Sequence, residues 1–210
     1  MSKIKAVVFD VDGVLVDSTD SNVALYEILL VKAGYKKPSR EEIIACFHMP
    51  LWQSLEILTK STDQREIKRV SDMVYDPDIH TSDLLKFPAN LEKILLELHK
   101  YYKLAVVTSR IKLGMEHIFD VRDIEHLFDE VVVFEDYKNP KPHPEPLLLA
   151  AKRLNVKPSE AIYIGDSHTD IEAAKSAGMK SIHLAPEKNI DADVGITSFG
   201  GIVDAVKQLD

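Results

Sequence analysis

Cysteine is nearly missing from this 210-residue chain. Cys46 stands alone, which excludes a disulfide within the chain and fits a reducing, cytoplasmic setting. Long apolar runs are missing too. No stretch approaches the roughly 20 apolar residues that a membrane span needs. The first apolar run is short and leads straight into an acidic turn, so no secretory signal is expected. An excess of positive charge is also lacking: the formal net charge is -8, which argues against a non-specific nucleic-acid binder, since that needs a basic face. An acidic total says little about one pocket, where a bound metal reverses the local sign. No internal repeat or low-complexity tract interrupts the chain. With 45% hydrophobic and 29% charged residues, the expectation is an ordinary globular protein with one buried core and a smaller inserted unit. Nothing in the sequence sets an oligomeric state.

What is present begins with KIKAVVFDVDGVLVDS, from Lys3 to Ser18. Val7, Val8 and Phe9 predict a short strand buried on both faces. It ends in Asp10, Asp12 and Gly13. Two carboxylates so close repel each other unless a cation or a shared proton relieves them, and Gly13 allows a sharp turn where a ligand could approach. By itself DVDG also reads as a plain turn.

The chain from Thr19 to Ile79 shows no strand-like alternation. Thr19 or Asp20 is expected to cap a helix running to about Ala33. Ser39-Arg40-Glu41-Glu42 spells a capping box ahead of a short helix. A break covers Phe47 to Gln53, with helices again over Ser54–Thr59 and from Asp63 to about Tyr75. From Asn90 onward the pattern changes. Helices over Asn90–Tyr101, Leu113–Phe119, Pro146–Leu154 and Thr169–Ala177 alternate with strands at Leu104–Val107, Val131–Phe134, Ala161–Ile164 and Ser181–Leu184. Alternation with short connections predicts an α/β fold, a doubly wound parallel sheet covered by helices on both faces. In such sheets ligands sit beyond the carboxyl ends of the strands. Asp10 and Asp12, Thr108 and Ser109, Glu135 and Asp136, and Asp166 all fall at such ends, which favours a shared site over a set of unrelated turns.

Four motifs, FDVDGVLVDS, the Thr108-Ser109 pair after VV, Lys141 within NPKPHPEP, and IGDSHTD, together resemble the haloacid-dehalogenase-like phosphohydrolases over nearly the whole chain. The likeness is greatest to the branch of phosphoglycolate phosphatases, pyrophosphatases and β-phosphoglucomutases, which carries a small helical cap. It implies a Rossmann-like α/β catalytic core from residues 1–18 and 87–210, with an all-α cap and its linkers at 19–86. It also implies a Mg²⁺-dependent phosphatase for a small phosphorylated metabolite. Asp10 would be the nucleophile that forms an aspartyl-phosphate, and Asp12 the general acid and base. Mg²⁺ would bind the Asp10 carboxylate, the Asp12 backbone carbonyl and Asp166, with Asp170 supporting that shell from behind. Thr108, Ser109 and Lys141 would hold the phosphoryl oxygens. The cap break implies substrate selection by His48 or Trp52, although a lone tryptophan is more often a core anchor. His143 and His168 are expected in solvent, and Arg110 is left unassigned between exposure and substrate contact.

Some positions depart from the family pattern. Pro140 and His48 stand where the family usually has glycine, and no Lys or Arg lies between Phe47 and Gln53 to hold a second phosphate as in the mutases. Hydrolysis of a monoester or of pyrophosphate is therefore favoured over mutase transfer. A rival of another class is a non-enzymatic phospho-accepting regulatory domain, which the helical insertion and IGDSHTD fit poorly.

Overall fold

The computed structural model describes residues 3–47, 49–76, 78–186 and 191–210. The chain divides into two compact units, Met1–Asp17 with Lys86–Asp210, and Ser18–Leu85.

The first unit is built on one six-stranded, all-parallel sheet. Its strands are β1 (Ala6–Phe9), β2 (Lys103–Val107), β3 (Glu130–Val132), β4 (Ala161–Gly165), β5 (Lys180–Leu184) and β6 (Val194–Ile196), in the order β3-β2-β1-β4-β5-β6. The predicted doubly wound α/β fold is thus the one found. β1 lies between β2 and β4, with Phe9 opposite Val106 on one side and Ile164 on the other. That register lines up the carboxyl ends of the three central strands, and the order reverses at β1. A crevice opens at such a reversal.

The strands are apolar on both faces because both faces are covered. Ala6, Val8, Ala105, Val107 and Tyr163 point to one side, where they pack with residues of α7 (Glu145–Arg153) and α8 (His168–Ala177) such as Leu147, Ala150 and Ala174. Val7, Phe9, Leu104 and Val106 alternate to the other side and are equally buried. There α5 (Leu91–His99) packs on β2, and α9 (Ile202–Leu209) packs on β6 and α5. A further helix, α6 (Lys112–Val121), follows the β2 loop.

Among the described residues the second unit holds four α-helices, α1 (Thr19–Lys32), α2 (Arg40–Ile44), α3 (Leu51–Thr59) and α4 (Gln64–Asp72), around Leu29, Leu30, Ile43, Leu55, Ile67 and Val70. The capping box at α2 forms as spelled: the Glu42 amide donates to Ser39 Oγ and the Ser39 amide to Glu42 Oε2.

Three sequence expectations shift. The break at Phe47–Gln53 is shorter than read, since Pro50 directly precedes α3 at Leu51; proline's fixed φ suits a helix start. The third strand ends at Val132, and Phe134–Asp136 turns as a 3₁₀ segment, because the Val133 amide donates to Asp136 Oδ2 rather than to a neighbouring strand. Trp52 on α3 is 42% exposed and is no core anchor. His48 lies outside the described residues.

Candidate active site

Asp10 follows β1 directly, and its amide donates to Ile164 O of β4. That bond places its carboxyl at the switch point, where it is buried. Asp166 follows β4, and Asp170 lies one turn into α8. One oxygen from each of Asp10, Asp166 and Asp170 falls within 4.8 Å of the others. Two glycines make this approach possible. A Cβ on Gly13, whose φ is +76°, would sit 1.8 Å from Asp166 Oδ2, and one on Gly165 would sit 2.3 Å from Asp170 Cβ.

Lys141 arrives from the loop Pro140-Lys141-Pro142, with a cis peptide bond to Pro142. Its ammonium lies 3.1 Å from Asp10 Oδ1 and donates to Asp170 Oδ1 at 2.6 Å and to the Tyr163 hydroxyl at 2.9 Å. Tyr163 in turn donates to Asp170 Oδ1 at 3.1 Å. The second Asp170 oxygen accepts from the Ser167 hydroxyl and amide at 2.6 and 3.2 Å. Asp170 therefore both completes the capping box of α8 with Ser167 and anchors Lys141.

The titration of these groups follows from this crowding. Burial pushes the Asp10 carboxyl well above its usual value; Lys141 opposes the rise, and Asp170, Asp166 and Asp12 add to it. Asp166 is raised to about 7, first by burial and then by Asp170. For Asp170 burial acts upward, but Lys141 and the Ser167 bonds outweigh it and hold the carboxyl below its usual value. Burial alone would lower Lys141; Asp10 and Asp170 more than reverse that and keep it charged.

Thr108 follows β2. It is buried, and its hydroxyl accepts from the Arg110 amide at 3.1 Å. Ser109 beside it is exposed. Asp12 stands apart from the three clustered acids: Arg110 grips it with Nε to Oδ2 at 2.8 Å and Nη2 to Oδ1 at 2.6 Å. Glu135 and Asp136, also read at a strand end, are engaged otherwise. Glu135 accepts from the Lys112 amide and Asp136 pairs with Arg153. His143 and His168 stay in solvent.

The donor set can be tested against a metal. Asp10, Asp12, Asp166 and Asp170 carry four negative charges when ionised, against the two positive charges of Lys141 and Arg110. The surplus of two matches a divalent cation. Carboxylate oxygens without thiolate or imidazole suit a hard ion such as Mg²⁺ and not zinc. The residues fit.

Two participants had no role assigned to them from the sequence. Arg110 carried a signal, since it directly follows the Thr108-Ser109 pair at a strand end. Tyr163 carried none: inside AIYIG it reads as one more core aromatic.

An acid cluster with a buried lysine at the switch point of a parallel sheet defines a class, and comparison with known proteins agrees: the chain belongs to the haloacid dehalogenase-like hydrolase family, whose model matches residues 7–184. Over 184 residues it is 30% identical to the pyrophosphatase PpaX of Bacillus velezensis, which covers 87% of this chain and 84% of that protein. A crystal structure of a protein described as haloacid dehalogenase-like, from Bacteroides fragilis, superposes with TM-score 0.84 at 25% identity, covering 95% of this chain and all (100%) of the other. That of a predicted phosphoglycolate phosphatase from Haemophilus somnus gives 0.81 at 25% identity, over 98% and 99% of the two chains. Among the described residues no helix is long and apolar enough to cross a membrane.

Proposed function

We propose that this protein is a Mg²⁺-dependent phosphohydrolase that works through an aspartyl-phosphate on Asp10, with a small phosphorylated metabolite as substrate. The observation that carries this reading is the Lys141 ammonium held between Asp10 and Asp170, at 3.1 and 2.6 Å, beside the Asp10–Asp166–Asp170 cluster. A lone buried carboxylate would stay protonated and make a poor nucleophile. Lys141 favours the ionised form and would hold the phosphoryl oxygens as charge builds on them.

Asp10 attacks phosphorus, the bond from phosphorus to the leaving oxygen breaks, and Asp12 gives that oxygen a proton. Asp12 then takes a proton from water, which attacks the aspartyl-phosphate and releases inorganic phosphate. Thr108 and Ser109, at the end of β2, hold phosphoryl oxygens with Lys141, and Asp170 with Tyr163 keeps the lysine in place. The Asp10 and Asp166 carboxylates with the Asp12 backbone carbonyl would hold Mg²⁺, and its charge would neutralise the phosphoryl oxygens.

Pyrophosphate is the second candidate substrate, favoured by the 30% identity to a pyrophosphatase. Mutase transfer is disfavoured because no Lys or Arg lies between Phe47 and Gln53.

The test is a panel of phosphorylated metabolites and pyrophosphate, assayed for kcat/KM with Mg²⁺ and with EDTA. Turnover is expected only with Mg²⁺, and Asp10→Asn should lower it by about 10³-fold or more. Full activity in chelator or in Asp10→Asn overturns the reading. A single phosphorylation without sustained turnover would instead identify a phospho-accepting regulatory domain.

A further inference from the structure

Arg110 stands in the loop after β2, and its backbone is fixed there. Its amide donates to Thr108 Oγ1 at 3.1 Å and its carbonyl accepts from the Phe134 amide at 2.9 Å. Its side chain reaches the loop after β1 and closes a two-bond fork on the Asp12 carboxylate, at 2.8 and 2.6 Å. The two side chains are unequally exposed, 17% for Arg110 and 38% for Asp12. A ligand arriving from solvent meets the Asp12 end of the pair more openly, while the guanidinium is the better fixed partner.

A planar guanidinium fork matches a phosphate edge as well as it matches a carboxylate. With both its oxygens in that fork, Asp12 has to leave Arg110 before it can reach a leaving oxygen. Departure would strand a part-buried cation unless another anion takes the place. The fork therefore makes release of Asp12 depend on what the substrate offers in exchange.

Resting on the phosphoryl-transfer reading above, we propose that Arg110 is a specificity residue: an anionic group on the leaving side of the substrate, as in pyrophosphate, takes the guanidinium from Asp12 and so frees Asp12 to turn to the leaving oxygen. A substrate whose leaving side is uncharged, such as phenyl phosphate, has nothing to exchange and leaves Asp12 in the fork. The bonds made and broken are those of the hydrolysis already described. Arg110 changes which substrates reach that step.

The experiment compares wild type, Arg110→Gln and Arg110→Lys with pyrophosphate and with phenyl phosphate under Mg²⁺. In parallel, calorimetry measures methylenediphosphonate and inorganic phosphate binding to each form in an Asp10→Asn background. The kcat/KM ratio of pyrophosphate to phenyl phosphate should fall about tenfold or more in Arg110→Gln. Arg110→Lys should recover part of it, since an ammonium keeps the charge and loses the fork. Methylenediphosphonate should lose more affinity than inorganic phosphate. Equal falls for both substrates, or equal losses for both anions, overturn the proposal and reduce Arg110 to a support for Asp12. Wild-type protein that turns over neither these two substrates nor any phosphorylated metabolite of the panel refutes the phosphoryl-transfer reading itself, and with it this one.

Discussion

Replacing Asp166 with Asn should make the metal-free protein more stable in mild alkali and at the same time remove its response to Mg²⁺. In the metal-free site the Asp166 carboxyl is raised to about 7 by burial and by Asp170, against 3.8 for the free group. A group whose folded pKa is raised contributes stability that is full below about pH 4 and is lost as pH rises through 7. A difference of that size amounts to about 4 kcal/mol at pH 8. Part-exposure of Asp166 to water cuts this to about 2–3 kcal/mol. Asn carries no such cost at any pH. Metal-free Asp166→Asn should therefore exceed wild type by about 1 kcal/mol near pH 5, where roughly a third of the loss has already occurred, and by about 2–3 kcal/mol at pH 8, or roughly 5–10 °C in Tm for a chain of this size. Saturating Mg²⁺ should restore wild type by about 2.7 kcal/mol at a hundredfold excess over Kd and leave the variant almost unmoved. Thermal melts at pH 5 and pH 8, with EDTA or with Mg²⁺, read all four conditions. If the variant melts below wild type at pH 8 in EDTA, or if Mg²⁺ stabilises both forms equally, the argument from crowded carboxylates fails.

Tyr163→Phe removes a buried hydroxyl that touches both Lys141 and Asp170. It should cost about 1 kcal/mol in denaturant unfolding and lower kcat by about tenfold while weakening phosphate inhibition; an unchanged kcat would show that Lys141 needs no such support. Gly13→Ala puts a methyl against Asp166 Oδ2 at a positive φ. It should weaken Mg²⁺ binding by calorimetry about tenfold or more, and native Mg²⁺ affinity would show that Asp166 is not a ligand. Phe9→Ala empties the carboxyl end of the central strand, where the ring is fully buried and meets Phe128 edge-on at 6.3 Å. A loss of about 3–5 kcal/mol is expected from the urea midpoint, and a loss under 1 kcal/mol would mean that β1 is not the keystone of the sheet.

The central strands and their polar ends were legible because parallel strands buried on both faces write continuous apolar runs, and Asp10, Thr108 and Asp166 interrupt those runs abruptly. The outer parts were harder to read. β6 is only Val194-Gly195-Ile196, too short and too glycine-rich to register as a strand, and it forms because β5 offers an open edge at Ile182–Leu184. α9 does carry an apolar stripe at Ile202, Ala205, Val206 and Leu209, but it follows so irregular a stretch that no alternation leads up to it. At the site, residue types announced by motif were readable, whereas pairings across the sheet were not. Nothing local tells Arg110 to reach back to Asp12, 98 positions earlier, or Tyr163 to aim its hydroxyl at a lysine 22 positions before it. Those contacts depend on the strand order, which places β1 between β2 and β4.

The two places where the chain passes between its units are stitched together. The Asp17 amide donates to Lys86 O at 2.8 Å and the Lys86 amide to Asp17 O at 3.0 Å, as one antiparallel bridge. Residues bridged in this way are the natural feet of a tight two-residue hairpin. The whole of Ser18–Leu85 can in principle be excised and the cut closed by an Asn-Gly turn, leaving every rung of the parallel ladder where it is. Evolution could have grafted a helical module at such a seam without rewriting the sheet, and a protein engineer can exchange one there for another.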